Sequence, residues 1–182
     1  MKPKIIITLA LVCAFCLFSG QRCKRKPTSP AGPNEPPVLS PPKFELPTTK
    51  LMLADQEYTV ELAYTRASRA KGLMFREEIP PHTGMLFIHS ESQELSYWMK
   101  NCLIDMDIVY IKEDGTIATT YTMTVLPDPN VSDWEITGYS SEVPVKYALE
   151  IAAGAAEKLG LTPGEKIEIP EKIKKIIAEP DF

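Results

Sequence analysis

The sequence predicts one small, mainly β domain, a β-sandwich or barrel, over residues 48–170. Within this range, seven to nine short apolar or alternating runs are separated by turn-forming residues, as in small all-β folds. Only two short stretches there have helical character. The length of 182 residues is enough for one ordinary domain and its appendages.

Residues 1–26 are predicted to be an export signal or a membrane anchor. Positive charges at residues 2 and 4 precede a nearly uninterrupted apolar run from 5 to 18, which is shorter than the roughly 20 residues of a bilayer span. Basic residues within 22–26 oppose simple translocation and favour contact with anionic lipid. A cleaved signal, an uncleaved anchor and a lipid on Cys23 stay open. In each case we expect an exported protein of the cell envelope or periplasm, with membrane contact through this segment.

Residues 27–47 are interpreted as a linker. They contain eight prolines among Ser, Thr, Gly and Asn, a composition that favours extended polyproline II and builds no core. After the domain, residues 171–182 are expected to form a C-terminal tail.

The charge balance argues against nucleic acid as a partner. Residues 48–170 hold ten Lys and Arg against nineteen Asp and Glu, a balance of −9 in a chain whose formal net charge is −4. Binding to phosphates depends on clustered Lys and Arg, which release counterions from the nucleic acid. We therefore expect no nucleic-acid partner.

The elements of the domain follow from local patterns along the chain. Thr65 is placed to cap a short helix over residues 66–71, which Gly72 would end. Residues 113–115 (Glu-Asp-Gly) are a strong turn signal between two strands, and an Ala-rich stretch predicts a second helix over 152–159. The predicted strands are 50–53, 58–63, 84–89, 95–101, 106–112, 116–125, 136–139, 146–151 and 166–169.

Three groups of residues together resemble a known family. They are RAKGLMFR (69–76) with GMLFI (84–88), YWMKN (97–101) with DIVY (107–110), and YALEI (147–151) with Gly154 and Gly160. This combination is similar to the domain-of-unknown-function 192 family, also called uncharacterised protein family 0127. The resemblance covers about residues 48–170, the whole predicted domain.

The resemblance implies a compact, jelly-roll-like β domain, often behind an export signal, and it implies no activity. The chain departs from the family pattern at two positions. Cys102 stands where the family usually has Thr, and Asp105 where it usually has Pro. The second change adds a carboxylate close to Asp107.

A cluster of polar and aromatic residues is the candidate ligand-binding site. Trp98 and Lys100 would share one face of the predicted strand, where an aromatic ring beside an ammonium suits a sugar or another polar ligand. Glu150 lies within an apolar strand and needs a partner if it is buried. The family resemblance reaches every member of the predicted cluster, which consists of Arg76, Trp98, Lys100, Asn101, Asp107 and Glu150.

Structural roles are the alternative for these residues. Trp98 would then be a core side chain and Lys100 an ordinary surface residue. Asp107 would close a turn or form a salt bridge with Arg76 or Lys100, either of which is also a candidate partner for Glu150.

We expect a binding or accessory module for a small polar ligand or an envelope protein, rather than an enzyme, with no cofactor and no metal site. A hydrolase that uses Asp105, Asp107 or Glu150 is one alternative, because paired carboxylates can divide acid and base roles. A Cu(I)-handling protein is another, since thioether and thiol sulfurs are soft ligands. Its candidate ligands would be Met74, Met85, Met99, Met106, Met123 and Cys102. His82 and His89 are seven apart, which fits no common metal-ligand spacing.

Overall fold

The computed structural model describes residues 45–180. The predicted export segment and most of the linker lie outside the described residues. Eight strands occur in the described range: β1 (Thr48–Leu53), β2 (Gln56–Ala63), β3 (Thr83–Gln93), β4 (Ser96–Tyr97), β5 (Met106–Ile111), β6 (Ile117–Met123), β7 (Tyr139–Ser140) and β8 (Val145–Ala152). The helices there are α1 (Arg66–Lys71), α2 (Ala155–Lys158), α3 (Glu171–Lys174) and a 3₁₀ turn (Asp133–Glu135).

Six of the strands form one mixed sheet in the order β1-β2-β3-β8-β5-β6. Strands β2 and β3 are parallel, and the other neighbouring pairs are antiparallel. Strands β4 and β7 form a separate two-stranded sheet. The predicted mainly β fold is confirmed, and the large sheet is sandwich-like rather than closed into a barrel.

Apolar side chains cover both faces of the large sheet. In β3, Leu86 and Ile88 belong to one buried cluster, whereas Met85 and Phe87 belong to the other. Every residue of β5 is buried. The central strands therefore read as continuous apolar runs, because successive side chains point to opposite faces and both faces are covered.

The predicted helix α1 is present with the predicted ends. The Thr65 hydroxyl accepts a hydrogen bond from the Ser68 N–H at 3.1 Å, and the Ser68 hydroxyl accepts one from the Thr65 N–H at 3.0 Å. This reciprocal cap satisfies N–H groups that have no partner inside the helix. Gly72 ends the helix with φ +47°, a conformation that suits a residue without Cβ.

The predicted strand over residues 95–101 is wrong beyond Tyr97. The chain leaves β4 before Trp98, and the Cys102 N–H donates to the Met99 carbonyl at 3.2 Å in a turn. Asn101 has φ +56°, a left-handed conformation incompatible with a continuing strand. Trp98 and Lys100 are therefore not neighbours on one strand face.

Two further boundaries differ near the C-terminus. The predicted strand over 166–169 is wrong, since the chain there makes only an isolated bridge between Thr116 and Lys166. The second helix is limited to Ala155–Lys158, because β8 continues to Ala152 and Gly154 adopts φ +76°. Beyond α3, Ala178 is buried in the core, so the chain packs on the domain as far as this residue.

No helix within residues 45–180 is long and apolar enough to cross a bilayer.

Candidate functional site

A cavity of about 370 Å³ opens between α1, β3, β4 and the turn at residues 98–102. Its walls are mostly apolar and aromatic, with Phe87, Tyr97 and Trp98 among them. The Glu150 side chain also lines it. Ligand pockets in proteins are commonly of this size and combine apolar walls with polar side chains, here including Arg66, Arg69 and Lys71.

Glu150 reaches the cavity because of the alternation along β8. Ala148 belongs to the buried cluster on the cavity side, and Glu150, two residues further, points to the same face. Strand pairing places it between Met85 of β3 and Ile108 of β5. The residue is only 5% exposed. A carboxyl group is therefore held in an apolar part of the sheet.

The Glu150 carboxyl has no hydrogen bond to any residue between 45 and 180. Burial raises its pKa to about 8, although the positive charge of Arg76 acts in the opposite direction. The carboxyl is therefore mostly protonated at neutral pH.

Arg76 is the charged residue that acts on Glu150, yet its hydrogen bonds go elsewhere. Its guanidinium donates two hydrogen bonds of 2.7 Å to the two carboxylate oxygens of Glu61. Strand registers place Glu61 beside Met85 and Met85 beside Glu150, so the two acids lie in one row across the sheet. This bidentate pair uses two of the five Arg76 N–H donors, and Arg76 acts on Glu150 through its charge only.

Trp98 lies at the mouth of the cavity. It is 40% exposed, so the alternative of a core tryptophan is wrong. The Lys100 ammonium lies 5.5 Å from the centre of the Trp98 ring and forms an ion pair with Asp133. Lys100 therefore supports Trp98 by a cation–π contact and by an anchor in the 3₁₀ turn.

Tyr97 and His89 form the aromatic wall beside Trp98. The His89 Nε2 and the Tyr97 hydroxyl are 3.1 Å apart, and the rings of Phe87 and Tyr97 meet edge to face at 4.9 Å. Neither residue belongs to the cluster predicted from the sequence. Alternation along β3 was the available signal for His89, because it places His89 on the same face as Met85 and Phe87.

Cys102 contributes a thiol to the cavity wall. Burial raises its pKa to about 11, and the charge of Glu150 acts in the same direction. Because the thiolate is the reactive form, this cysteine is a weak nucleophile at neutral pH.

Asn101 shapes the turn below Trp98. Its backbone carbonyl accepts a hydrogen bond from the Phe75 N–H at 2.9 Å, and its side-chain amide lies 3.9 Å from the Met74 sulfur. Asn tolerates the left-handed conformation found here. Asn101 thus ties the chain after α1 to the turn that carries Trp98.

Asp107 is not part of this cluster. It lies on the same sheet face as Val109, which belongs to the opposite core, whereas Glu150 faces the cavity. Its carboxylate accepts hydrogen bonds from the Ala156 N–H at 2.9 Å and from the Thr122 hydroxyl at 2.7 Å. The predicted contact of Asp107 with Arg76 or Lys100 is therefore wrong.

The carboxylates do not converge as the hydrolase alternative requires. Asp105 precedes β5, and its carboxylate accepts the Val125 N–H at 2.8 Å in an exposed loop contact. Asp107 and Glu150 point to opposite faces of the sheet. No pair among these three acids shares a cleft, so the geometry gives this alternative no support.

The sulfur atoms named for Cu(I) are divided between two environments. Met85, Met99, Met106 and Met123 are fully buried in one apolar cluster, where methionine fills space between other side chains. Met74 and Cys102 line the cavity instead. Within the described residues, no group of three or more His, Cys, Asp or Glu is placed to hold a metal ion.

The fold and site define a small β domain with one mixed sheet and an aromatic-walled pocket over a buried acid. The chain belongs to the uncharacterised family DUF192, described as "Uncharacterized ACR", whose sequence profile matches residues 49–169. No curated protein matches the chain.

Two crystal structures are similar. One, from Sinorhizobium meliloti, has a description that suggests a transcription regulator; it is 35% identical, with a TM-score of 0.56, over 65% of this chain and 89% of that one. The other is a protein of unknown function from Novosphingobium aromaticivorans. It is 28% identical, with a TM-score of 0.59, over 70% of this chain and 89% of that one.

Proposed function

We propose that this domain is a binding module of the cell envelope that takes a small polar ligand into the cavity lined by Glu150 and Trp98. The observation that carries the proposal is the Glu150 carboxyl, which is buried and lines a cavity but has no hydrogen-bond partner among residues 45–180.

The desolvation of that carboxyl supports the proposal. Burial raises its pKa to about 8, so the surrounding protein disfavours the charged form. A ligand that hydrogen-bonds to the carboxyl from the cavity offsets this desolvation.

Trp98 provides the second contact. Tryptophan offers a large apolar face at little loss of conformational freedom, and here that face is partly open to solvent at the cavity mouth. The cavity volume suits a ligand of about the size of a monosaccharide or an amino acid.

The envelope location rests on the sequence of residues 1–47, with its apolar segment, basic flank and Pro-rich linker. Regulation of transcription, suggested by the description of the Sinorhizobium protein, finds no support in the charge of this chain. Its residues 48–170 carry a balance of −9, opposite in sign to what DNA attracts.

The proposal is tested by NMR screening of the purified full chain. The probes are a set of small neutral, cationic and anionic organic molecules, and the readout is the two indole N–H signals. We expect the Trp98 signal to shift with bound probes, whereas the Trp134 signal, from a residue outside the cavity, stays fixed. If no probe at millimolar concentration shifts Trp98, or if Trp98→Leu leaves all binding unchanged, the proposal is wrong.

A further inference from the structure

We infer that the ligand of this cavity carries a protonated amine, which pairs with the Glu150 carboxylate and lies against the Trp98 ring. This inference rests on the proposed function and names the chemical class of its ligand. It follows from what the cavity wall offers and from what it lacks.

The Glu150 carboxylate needs hydrogen-bond donors. An ionised carboxylate only accepts hydrogen bonds, and the described residues supply Glu150 with none. The guanidinium of Arg76 is engaged with Glu61 through two bonds of 2.7 Å. The donors must therefore come from the ligand, and a primary ammonium brings three.

The Glu150 carboxylate also needs a positive charge close to it. A buried carboxylate is stable only when an opposite charge is close and well hydrogen-bonded. The rings of Phe87, Tyr97 and Trp98 line the same cavity, and aromatic faces attract cations. An ammonium ion satisfies both the acid and the rings, whereas a neutral hydroxyl or an anion satisfies only one or neither.

Among the charged groups near the cavity, Arg76 is the one that acts on the Glu150 carboxyl. Glu150 is the one acidic side chain that the described residues contribute to the cavity wall. Six further titratable side chains, from α1, β3, β4 and the 98–102 turn, line it: Arg66, Arg69, Lys71, His89, Tyr97 and Cys102.

None of the three basic side chains of α1 forms a hydrogen bond with the Glu150 carboxyl. Arg69 donates hydrogen bonds to the backbone carbonyls of Tyr64, Ile88 and Glu179. Arg66 and Lys71 are exposed, where water and salt screen their charge.

The phenol of Tyr110, on β5, also belongs to the surroundings of Glu150. Burial raises its pKa, and the charge of Glu150 acts in the same direction. Its hydroxyl donates to the Tyr139 carbonyl at 2.5 Å, and its raised pKa keeps it neutral, so it brings no charge to Glu150.

Amine binding is then coupled to proton release. The free Glu150 carboxyl, with a pKa of about 8, is protonated at pH 6, and pairing with an ammonium requires the ionised form. Affinity therefore rises with pH up to about tenfold per unit between pH 6 and 8, and becomes flat above pH 8.

The experiment uses three probes with the same phenyl body: 2-phenylethylamine, 2-phenylethanol and 3-phenylpropionate. Each is titrated into the full chain at pH 6, 7 and 8, and the Trp98 indole signal reports binding. We expect the amine to bind at least tenfold more tightly than the alcohol at pH 8, with the propionate weakest. Only the amine should lose affinity towards pH 6.

Two variants separate the buried acid from general charge effects. Glu150→Gln keeps the shape of the side chain and should abolish the advantage of the amine together with its pH dependence. Glu157→Gln removes an exposed acid on α2, which packs on the opposite sheet face, and should change neither. The pH dependence of the wild-type protein tests the inference even if Glu150→Gln fails to fold.

The outcomes also distinguish this inference from the proposed function. If the alcohol or the propionate shifts Trp98 and the amine does not, the amine inference is overturned while a ligand-binding cavity is retained. An amine affinity that is flat from pH 6 to 8 overturns it as well. If none of the three probes shifts Trp98, the inference fails, and the wider probe set decides the proposed function.

Discussion

Glu150 is the residue on which the proposed binding site depends most. It sits between Met85 and Ile108 in the centre of the sheet, where burial raises its pKa to about 8. In the unfolded chain the same group has a pKa of about 4.5. Such a difference links folding stability to pH.

The variant Glu150→Gln should reveal this link. Because the folded-state pKa of Glu150 is raised, its ionisation destabilises the wild-type fold progressively as the pH rises from about 4.5 to 8. Glutamine removes that ionisation. We expect wild type and variant to have similar unfolding free energies at pH 4, and the variant to be more stable by a few kcal/mol at pH 9. Urea denaturation at both pH values measures this, and an equal difference at the two pH values would contradict it.

Two elements of the structure depend on single residues that the sequence alone did not explain. Gly84 lies where β3 meets β8, opposite Ile151. A Cβ at this position would lie 2.5 Å from the Glu150 carbonyl oxygen and 2.8 Å from the Ile151 Cγ2. The strand pairing that positions the buried acid therefore requires a residue without a side chain.

Gly84→Ala should accordingly lower the free energy of unfolding by about 3 kcal/mol or prevent folding, because its Cβ would overlap the backbone of β8, a strand paired on both sides. Gly160→Ala is the matched control. Its new Cβ meets no atom within 4 Å, and it pays only for a φ of +66°, about 1 kcal/mol. Thermal denaturation compares the two. A similar loss in both variants would show that the close β3–β8 approach is not what fixes Gly84.

Asp107 connects two elements, because its carboxylate links β5 to the start of α2 by a hydrogen bond. Asp107→Asn should lower stability by about 1–3 kcal/mol, because it weakens the buried hydrogen bonds to Ala156 and Thr122. The same variant should bind 2-phenylethylamine like wild type, since Asp107 lies on the other face of the sheet. A selective loss of amine binding in a fully folded Asp107→Asn protein would return this residue to the binding site.

Much of the fold was predictable at the element scale because local patterns determine it. The strands at 58–63, 84–89 and 146–151 and the capped helix α1 follow from alternation, apolar runs and a capping motif. The prediction of a strand over 95–101 was wrong because the alternation of residue types gives no sign of the left-handed backbone at Asn101. Tertiary contacts decided the rest.

The site was predictable only in part, and strand register explains why. Trp98 and Glu150 come together in one cavity, and both were named from the sequence. Glu61, which accepts the hydrogen bonds of Arg76, was not named from the sequence. It lies near Glu150 only because two strand pairings place both residues beside Met85. For the same reason Asp107 was assigned to the wrong face. The partners of Arg76 and of Asp107 are set by strand pairing and cannot be read from the order of residues along the chain.

At the scale of the whole molecule, we propose from the sequence of residues 1–47 that the chain is an envelope protein. We expect the full chain to fractionate with the envelope of its native host and to be accessible to protease in spheroplasts. A variant without residues 1–26 should stay in the cytosol. Protease resistance of the full chain in intact spheroplasts, with digestion only after lysis, would contradict the envelope assignment.

The titration of the Glu150 carboxyl by ¹³C NMR tests the central claim most directly. In the free full chain we predict a pKa of about 8, which decreases when 2-phenylethylamine is added, because the ammonium stabilises the ionised form. A pKa near the ordinary value for glutamate, about 4.5, would contradict the account. It would show that the carboxyl is already solvated or paired in the free protein, so that no ligand is needed to satisfy it.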